Sequence, residues 1–289
     1  MIRRNKYETN FVAASGALGL DGRGWPHEVA LGKLLGTRFF DPTCFDIVWS
    51  KTFTLQTKPR NWIGTIRRTR VFRGGTLNAD GLRNPGFGFW EEQIAPNLDP
   101  LTNYGLSVHG TLDEIGEMAR RTKGSRIKAI QVNGSCPNTG QDLPTPSDLT
   151  RKCAVVRENT DLPIGLKVSV EQDTSGIVRS LEEIGVSWID LNTVRWAFAY
   201  PNRRSPLRNY GGGGVGGRII QHLTWPYAKS LSQITSIKVI WPSVWTWQDV
   251  ESLVERGADG IAYGSVFIPY FWRPTMYTLR AHREFGKLT

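Results

Sequence analysis

The sequence predicts a single α/β domain with the (β/α)8 barrel, or TIM-barrel, architecture. Eight short apolar runs recur along the 289 residues, and amphipathic segments separate most of the later runs. Most runs are continuously apolar rather than alternating, as expected for parallel strands covered on both faces. A chain of this length is typical of such a barrel.

The predicted strands are FVAAS (11–15), DIVWSK (46–51), GLSVHG (105–110), IKAIQVN (127–133), IGLKVS (164–169), WIDLNT (188–193), KVIWPS (238–243) and GIAYGS (260–265). A helix-ending glycine precedes the last run, which suits closure of a barrel at an eighth strand. A doubly wound open sheet is the alternative, but that fold normally has fewer strands in series and splits at a switch point.

Helical patterns lie between the later strands. We expect helices at 111–123 and 147–159, opened by Thr111 and Ser147 caps, and at 175–185 and 246–257, each ended by a glycine. Cys153 falls inside the second helix as a small core residue. Residues 52–104 show little helix signal and are expected to form loop substructure over the catalytic end. No boundary forces a second domain, so we expect one domain over 1–289.

Composition narrows the class of protein. Hydrophobic residues make up 39% and charged residues 21%, as in soluble globular proteins. Three cysteines without paired spacing favour a reducing compartment, and no cysteine or histidine cluster has metal-ligand spacing. The first residues lack the apolar core of a signal peptide, and no run is long enough for a membrane helix. We therefore expect a cytoplasmic protein without a structural metal or membrane contact.

The formal net charge of +10 is compatible with nucleic-acid binding, with anionic ligands or with a solvated surface. Arginines cluster at 65–73 and 201–209. Such runs are usually solvated faces, and only one contiguous basic stripe would favour nucleic acid, which we consider an unlikely partner.

Polar residues at the predicted strand ends form the candidate site, because barrel enzymes place their chemistry at the carboxyl ends of the strands. These residues are Ser15, Lys51, 133–138, Lys167, Asn192, Thr193, Gly264 and Ser265. Two lysines at one face favour an anionic or electron-rich ligand, although either alone is compatible with a residue whose charge reaches solvent.

Two loops add candidates. LNADGLRNPGFGF (77–89) is rich in asparagine and glycine, which are common turn formers. YGGGGVGGRII (210–220) places six glycines before a possible helix, where backbone amides can approach a phosphate. A glycine run is equally compatible with a flexible loop.

The stretch AIQVNGSCPNTG (129–140) places Cys136 between two asparagines where a strand ends. With AASGALG (13–19), SKTFTLQTKPRN (50–61), NADGLRNPG (78–86), GLKVS (165–169), LNT (191–193), GGVGGRII (213–220) and GADGIAYGS (257–265), it resembles the dihydroorotate dehydrogenase family. The motifs occur in the family's order over nearly the whole chain, and N-x-SCPN is the most specific.

The resemblance implies a flavoprotein that oxidises dihydroorotate to orotate. Cys136 would be the base that removes a proton from C5 of dihydroorotate, while hydride leaves C6 for N5 of FMN. The side chains matching those that bind the pyrimidine are Asn78, Asn133, Asn138, Asn192 and Thr193. Asparagine suits this task because it offers a donor and an acceptor to an imide-like ring.

The resemblance also implies an FMN site. Ala14 and Ser15 match flavin-contacting positions. Lys51 and Lys167 match lysines whose charge stabilises the reduced flavin, which makes Lys51 a catalytic candidate. Part of the phosphate cradle is matched by Gly216, Gly217, Gly264 and Ser265.

The chain departs from the family pattern at three places. Pro242 and Ser243 stand where a Gly-Gly pair usually binds the phosphate, and proline has no N–H to donate. Asp80 stands where an apolar residue is common, and Arg195 with Trp196 replaces smaller residues.

The cysteine base favours the soluble class of the family. Within it, some members are homodimers that reduce fumarate and others pass electrons to NAD through an iron–sulfur flavoprotein subunit; this chain has no iron–sulfur cysteine pattern. A small-molecule substrate and either a homodimer or an electron-transfer partner are therefore expected. The alternatives are a dihydrouridine synthase, a dihydropyrimidine-type FMN oxidoreductase, or a non-catalytic barrel that has lost FMN.

Overall fold

The computed structural model describes residues 9–36, 39–59, 62–135 and 143–286. Its strands are β1 (Asn10–Ala13), β2 (Ile47–Trp49), β3 (Thr69–Phe72), β4 (Gly75–Asn78), β5 (Tyr104–Val108), β6 (Ala129–Asn133), β7 (Ile164–Val168), β8 (Val186–Leu191), β9 (Val194–Arg195), β10 (Gly214–Gly217), β11 (Lys238–Trp241) and β12 (Gly260–Tyr263). Its helices are α1 (Pro26–Leu35), α2 (Trp62–Arg67), α3 (Phe87–Phe89), α4 (Leu112–Arg121), α5 (Pro146–Asn159), α6 (Val178–Ile184), α7 (Trp196–Ala199), α8 (Gln221–Ile234), α9 (Trp247–Glu255) and α10 (Arg273–Phe285).

Eight parallel strands close into a barrel in the order β1, β2, β5, β6, β7, β8, β11 and β12. The ring is closed by the β1–β12 pair, in which Asn10 lies opposite Gly260. Each predicted apolar run contains one of these strands, and helices connect most successive pairs. The predicted single-domain (β/α)8 barrel is therefore confirmed.

A second, antiparallel sheet joins β3, β4, β10 and β9 in that order. Its centre is the pairing of β4 with β10, where Asn78 lies opposite Gly214. The sequence did not indicate this sheet. Part of an arginine cluster forms β3, and part of the glycine run forms β10, a strand whose glycines leave no alternation of side chains to recognise.

Side chains alternate between the two faces of each barrel strand. Phe11 and Ala13 pack outward in the main core against the helices, whereas Val12 belongs to a smaller cluster inside the barrel with Ile47 and Trp49. The same alternation turns Gln131 and Asn133 inward on β6. The polar residues at the inward positions near the strand ends therefore converge on one end of the barrel.

Trp49 fills much of the barrel interior. A Cβ on Gly105 or on Gly165 would lie within about 3 Å of its ring. Glycine at these two inward positions therefore provides the space for one large side chain, which replaces several smaller ones.

The helix caps follow the sequence in part. Thr111 caps α4, and its hydroxyl accepts a hydrogen bond from the amide of Glu114 as predicted. The predicted Ser147 cap is wrong: α5 begins earlier, and Thr145 is the cap, paired with Asp148 three residues later. Cys153 is fully buried in α5, as predicted, and burial raises the pKa of its thiol to about 12.

The described residues contain no helix that is long and apolar enough to cross a membrane. In the same part of the chain, no three or more histidine, cysteine, aspartate or glutamate side chains are grouped so that they could hold a metal ion.

Candidate active site

A cavity opens at the carboxyl ends of β1, β8, β11 and β12, beneath β10. Seven predicted site residues line it: Ala14, Asn192, Thr193, Gly216, Gly217, Gly264 and Ser265. Pro242, Ser243 and Val244 complete the wall that faces them. The barrel thus brings together residues that are more than two hundred positions apart in the chain, and we call this cavity the cradle.

The cradle presents backbone N–H groups without partners. Within the described residues, the amides of Ser243, Val244 and Gly264 donate no backbone hydrogen bond, and neither does that of Ser265, which opens a short 3-10 turn. Unpartnered amides that converge on one space are the donor set that binds phosphate. The residues present therefore fit the phosphate of a nucleotide cofactor.

Ser243 retains a backbone conformation that favours glycine. Its φ is 72°, and it is the one non-glycine residue with positive φ in the described part of the chain. The side chain is held by Thr224, whose hydroxyl lies 3.3 Å from Ser243 Oγ, while Gln221 donates to the Ser243 carbonyl. Replacement of the usual Gly-Gly pair has therefore preserved the turn while removing one amide, that of Pro242.

Lys51 is held by a carboxylate. Its Nζ lies 3.3 Å from Asp80 Oδ2, and the Asp80 side chain is only 3% exposed. The second oxygen of Asp80 accepts a hydrogen bond of 2.7 Å from the Thr65 hydroxyl. The Asp80 amide also donates to Asn78 Oδ1 at 2.6 Å. One departure from the family pattern therefore contacts two predicted site residues.

A chain of buried hydrogen bonds orients Asn133. Its Nδ2 donates to Thr52 Oγ1 at 2.8 Å, and Thr52 Oγ1 lies 3.0 Å from Ser107 Oγ. The chain continues from Ser107 to Gln131 at 3.0 Å and from Gln131 to Asp190 at 2.9 Å. Because all these groups are buried, the direction of the Asn133 amide is fixed by its partners.

Ser15 joins the same network. Its hydroxyl lies 3.0 Å from the Ser50 carbonyl oxygen and 3.1 Å from Thr52 Oγ1. Asn192 lies across the barrel mouth, and its Nδ2 is 3.0 Å from Ser135 Oγ. The predicted residues on β1, β6 and β8 are therefore connected through two hydroxyl side chains.

His109 lies beside Asn133 at the end of β5. Its Nδ1 is 2.9 Å from the Asn133 carbonyl oxygen, which can only accept, so Nδ1 carries the proton. Burial lowers the pKa of His109, and the charges of Lys152, Lys58 and Lys167 act in the same direction. Its imidazole is therefore neutral at pH 7.

Lys167 and Asp190 are neighbours on β7 and β8 inside the barrel. Burial raises the pKa of Asp190 to about 6, against the lowering effects of Gln131 and Lys167. Lys167 itself is 8% exposed. A lysine and a carboxylate thus share a buried position directly below the site.

Two predicted site residues, Cys136 and Asn138, lie outside the described residues, in 136–142. Their roles stay predictions. The strand that leads to them is described up to Ser135, and the Ser135 amide lies 3.2 Å from Asn133 Oδ1.

Several site residues were not predicted from the sequence. Thr52, Ser107, Gln131 and His109 carry no motif of their own. The available signal was position, because an inward residue of a barrel strand lies two positions from the next. Counting back from Asn133 reaches Gln131, and counting on from Ser107 reaches His109.

The family model for dihydroorotate dehydrogenase matches residues 36–271. A dihydroorotate dehydrogenase B (NAD(+)) catalytic subunit from Anoxybacillus flavithermus is 25% identical over 244 residues, covering 79% of this chain and 75% of the relative. Subunits of the same name from Citrifermentans bemidjiense and Bacillus caldolyticus are 31% identical over 209 residues (67% of each chain) and 27% identical over 253 residues (83% and 79%).

Among solved structures, a putative phosphonomutase from Burkholderia cenocepacia J2315 covers 98% of this chain and 95% of its own at 14% identity and a TM-score of 0.49. That likeness adds nothing to the assignment. The family model spans more than half of the chain and includes most of the cradle. The chain belongs to the dihydroorotate dehydrogenase family.

Proposed function

We propose that this chain oxidises dihydroorotate to orotate in pyrimidine biosynthesis with FMN as its cofactor. Membership in a family of flavin-dependent oxidoreductases makes the chain an enzyme of that type. The observation that carries the finer proposal is the cradle, because its glycines, its hydroxyls and its unpartnered amides line one cavity.

The cradle would hold the FMN phosphate. Its donors would be the amides of Ser243, Val244, Gly264 and Ser265, with Gly216 and Gly217 leaving room for the ligand. Ala14, Ser15, Lys51 and Lys167 would flank the ring system. When bound, FMN would supply the acceptor for the hydride that leaves C6 of the substrate.

The chain's own residues would bind the ring and move the proton. Asn78, Asn133, Asn138 and Asn192 would hydrogen-bond the pyrimidine, with Thr193 adding a hydroxyl. Asn133 Nδ2 keeps one N–H beyond its bond to Thr52, so a donor faces the site in a fixed direction. Cys136, as thiolate, would remove the proton from C5.

We also propose how electrons leave the site. The relatives are named as catalytic subunits of an NAD(+)-type enzyme, so a separate electron-transfer subunit is the expected partner. A homodimer and a cytoplasmic location remain predictions. We further propose that residues 52–104 cover the catalytic end of the barrel, as the pairing of β4 with β10 suggests.

The visible spectrum of the purified protein tests this function. We expect a yellow protein with flavin absorbance, which bleaches when dihydroorotate is added without oxygen. A colourless protein that cannot bind added FMN would refute the enzyme assignment and favour a barrel that has lost its cofactor. Bound flavin that dihydroorotate cannot reduce would favour a dihydrouridine synthase or a dihydropyrimidine-type oxidoreductase.

A further inference from the structure

A second cavity, of about 400 Å³, lies outside the cradle on the far side of the loop that follows β4. Basic side chains dominate its charged lining: Lys58, Arg68 and Arg83, together with His109, Tyr210 and the single carboxylate Asp80. Apart from Asp80, these residues have no role in the function proposed above. We call this space the basic cavity.

The carboxylate in the wall does not neutralise the basic cavity. One oxygen of Asp80 is paired with Lys51 at 3.3 Å, and the other accepts from Thr65 at 2.7 Å. The ion pairs formed by the described residues include none with Lys58, Arg68 or Arg83. Three positive charges therefore face a space without a committed counter-charge in this part of the chain.

Arg68 is prepared to bind an anion. Its Nε is fully buried and has no hydrogen-bond partner among the described residues. Its guanidinium carbon lies 4.9 Å from the centre of the Tyr210 ring, a stacked arrangement that orients the planar group. A buried donor without a partner is costly, and a guanidinium matches the two oxygens of a carboxylate or phosphate.

The basic cavity adjoins the proposed substrate site at two points. Asp80 contacts Lys51 and Asn78 on one side. His109 contacts the Asn133 carbonyl on the other. A ring bound by these asparagines could therefore extend a substituent toward Arg68.

Asp80 also changes the role of Lys51. A lysine beside the ring would be the natural partner for an anionic substituent, but here a buried carboxylate already balances its charge. A substrate anion near Lys51 would meet the negative charge of Asp80, and it gains a free counter-charge only in the basic cavity.

We propose that the basic cavity binds an anionic group carried by the pyrimidine substrate, a carboxylate or a phosphate, and that Arg68 is its principal partner. This inference rests on the proposed function for the identity of the ring. The basic cavity makes substrate charge, rather than ring shape alone, a determinant of specificity.

Three probes separate the sources of the anion: uracil has none, orotate carries a carboxylate on the ring, and uridine 5′-monophosphate carries a phosphate. Affinities are measured by calorimetry on the purified protein as isolated. We expect Arg68→Gln to weaken binding of one charged probe at least about tenfold, while uracil binding changes less than about twofold.

Two further variants serve as controls. Arg126 is exposed and precedes β6 at the opposite end of the barrel, so Arg126→Gln should leave all three affinities unchanged. Arg83→Gln is a second test should Arg68→Gln lower the unfolding temperature. Loss of orotate affinity identifies a carboxylate site, and selective loss of nucleotide affinity identifies a phosphate site.

The proposal is overturned if neither charged probe binds more tightly than uracil, or if both arginine variants fold and bind all probes as the wild type does. These outcomes are distinct from failure of the proposed function. Flavin that dihydroorotate reduces, with affinities independent of Arg68 and Arg83, would refute only the basic cavity. A flavin-free protein whose nucleotide affinity depends on Arg68 would refute only the oxidation.

Discussion

Gly216 on β10 lies so close to Ser265 that a Cβ on Gly216 would overlap the Ser265 hydroxyl. The same atom would lie 3.0 Å from Thr193 Cγ2. The second sheet is therefore pressed onto the barrel mouth at the cradle, and the absence of a side chain at one position keeps three site residues together.

Gly216→Ala should lower the amount of bound flavin. The added methyl group must displace Ser265 or lift β10, and overpacking of this kind typically costs about 1–3 kcal/mol of folding free energy. The flavin-to-protein absorbance ratio and the unfolding temperature measure the two effects. Gly176→Ala is the matched control, because a Cβ there meets open space. Full flavin content in Gly216→Ala would contradict the placement of the cradle.

Ser243→Gly should bind FMN more tightly than the wild type does. The residue has positive φ, which glycine adopts without strain, and removal of the side chain opens the approach to its amide. Relief of strain is opposed by the greater freedom of glycine in the unfolded chain, so stability should change by less than about 1 kcal/mol. Quenching of FMN fluorescence on titration gives the affinity.

Ser243→Ala separates the two effects in that experiment. Alanine keeps the Cβ and the strained backbone but loses the hydroxyl that lies near Thr224. It should bind FMN no more tightly than the wild type does. An equal gain in Ser243→Ala and Ser243→Gly would show that the hydroxyl, rather than the backbone, limits affinity.

Asp190→Asn should remove part of the pH dependence of stability. The pKa of Asp190 rises from 3.8 in its ordinary state to about 6 in the folded protein, chiefly through burial. Between these values the folded state binds more protons than the unfolded state, so this group makes stability fall as pH rises. The unfolding temperature of the variant relative to the wild type should therefore increase from pH 4 to pH 7.

The difference between variant and wild type is the required quantity, because Glu28 is also buried with a pKa raised to about 7. Its contribution is common to both proteins and cancels. A difference that stays constant over this pH range would show that Asp190 is charged at all these pH values.

Cys136→Ala should slow reduction of the flavin by dihydroorotate at least about 100-fold, the lower end for loss of a general base. Stopped-flow absorbance without oxygen measures the rate. Cys153→Ala removes a buried thiol of α5 and should lower stability while leaving this rate unchanged. A rate in Cys136→Ala equal to that of the wild type would remove Cys136 from its proposed role.

The barrel could be predicted because each strand carries its own local signal. β6 and β7 are short apolar runs that end in polar residues, and the intervening helices have caps and glycine stops. The second sheet could not be predicted, since β10 is composed largely of glycine and pairs with β4 more than a hundred residues away. Long-range pairing of strands without side-chain alternation leaves no local pattern.

The site was predictable where residues belong to motifs and unpredictable where they act through a partner. Lys51 and Asn133 were identified at strand ends, but nothing in the sequence showed that Asp80 would hold the first or Thr52 the second. Such pairings depend on register between strands and loops that are distant in the chain. The unpartnered Nε of Arg68 is likewise visible only in three dimensions.

The hydrogen-bond chain beneath the site has a consequence for how substrate preference could change. Asp190, when charged, can only accept, so Gln131 must turn its NH2 group toward Asp190 and its oxygen toward Ser107. Ser107 then donates to Gln131, Thr52 donates to Ser107, and Thr52 is left to accept from Asn133. The polarity that Asn133 shows a ligand is thus written at the base of the barrel. A mutation at Gln131 or Asp190 could exchange donor for acceptor at the ligand without altering any residue that touches it.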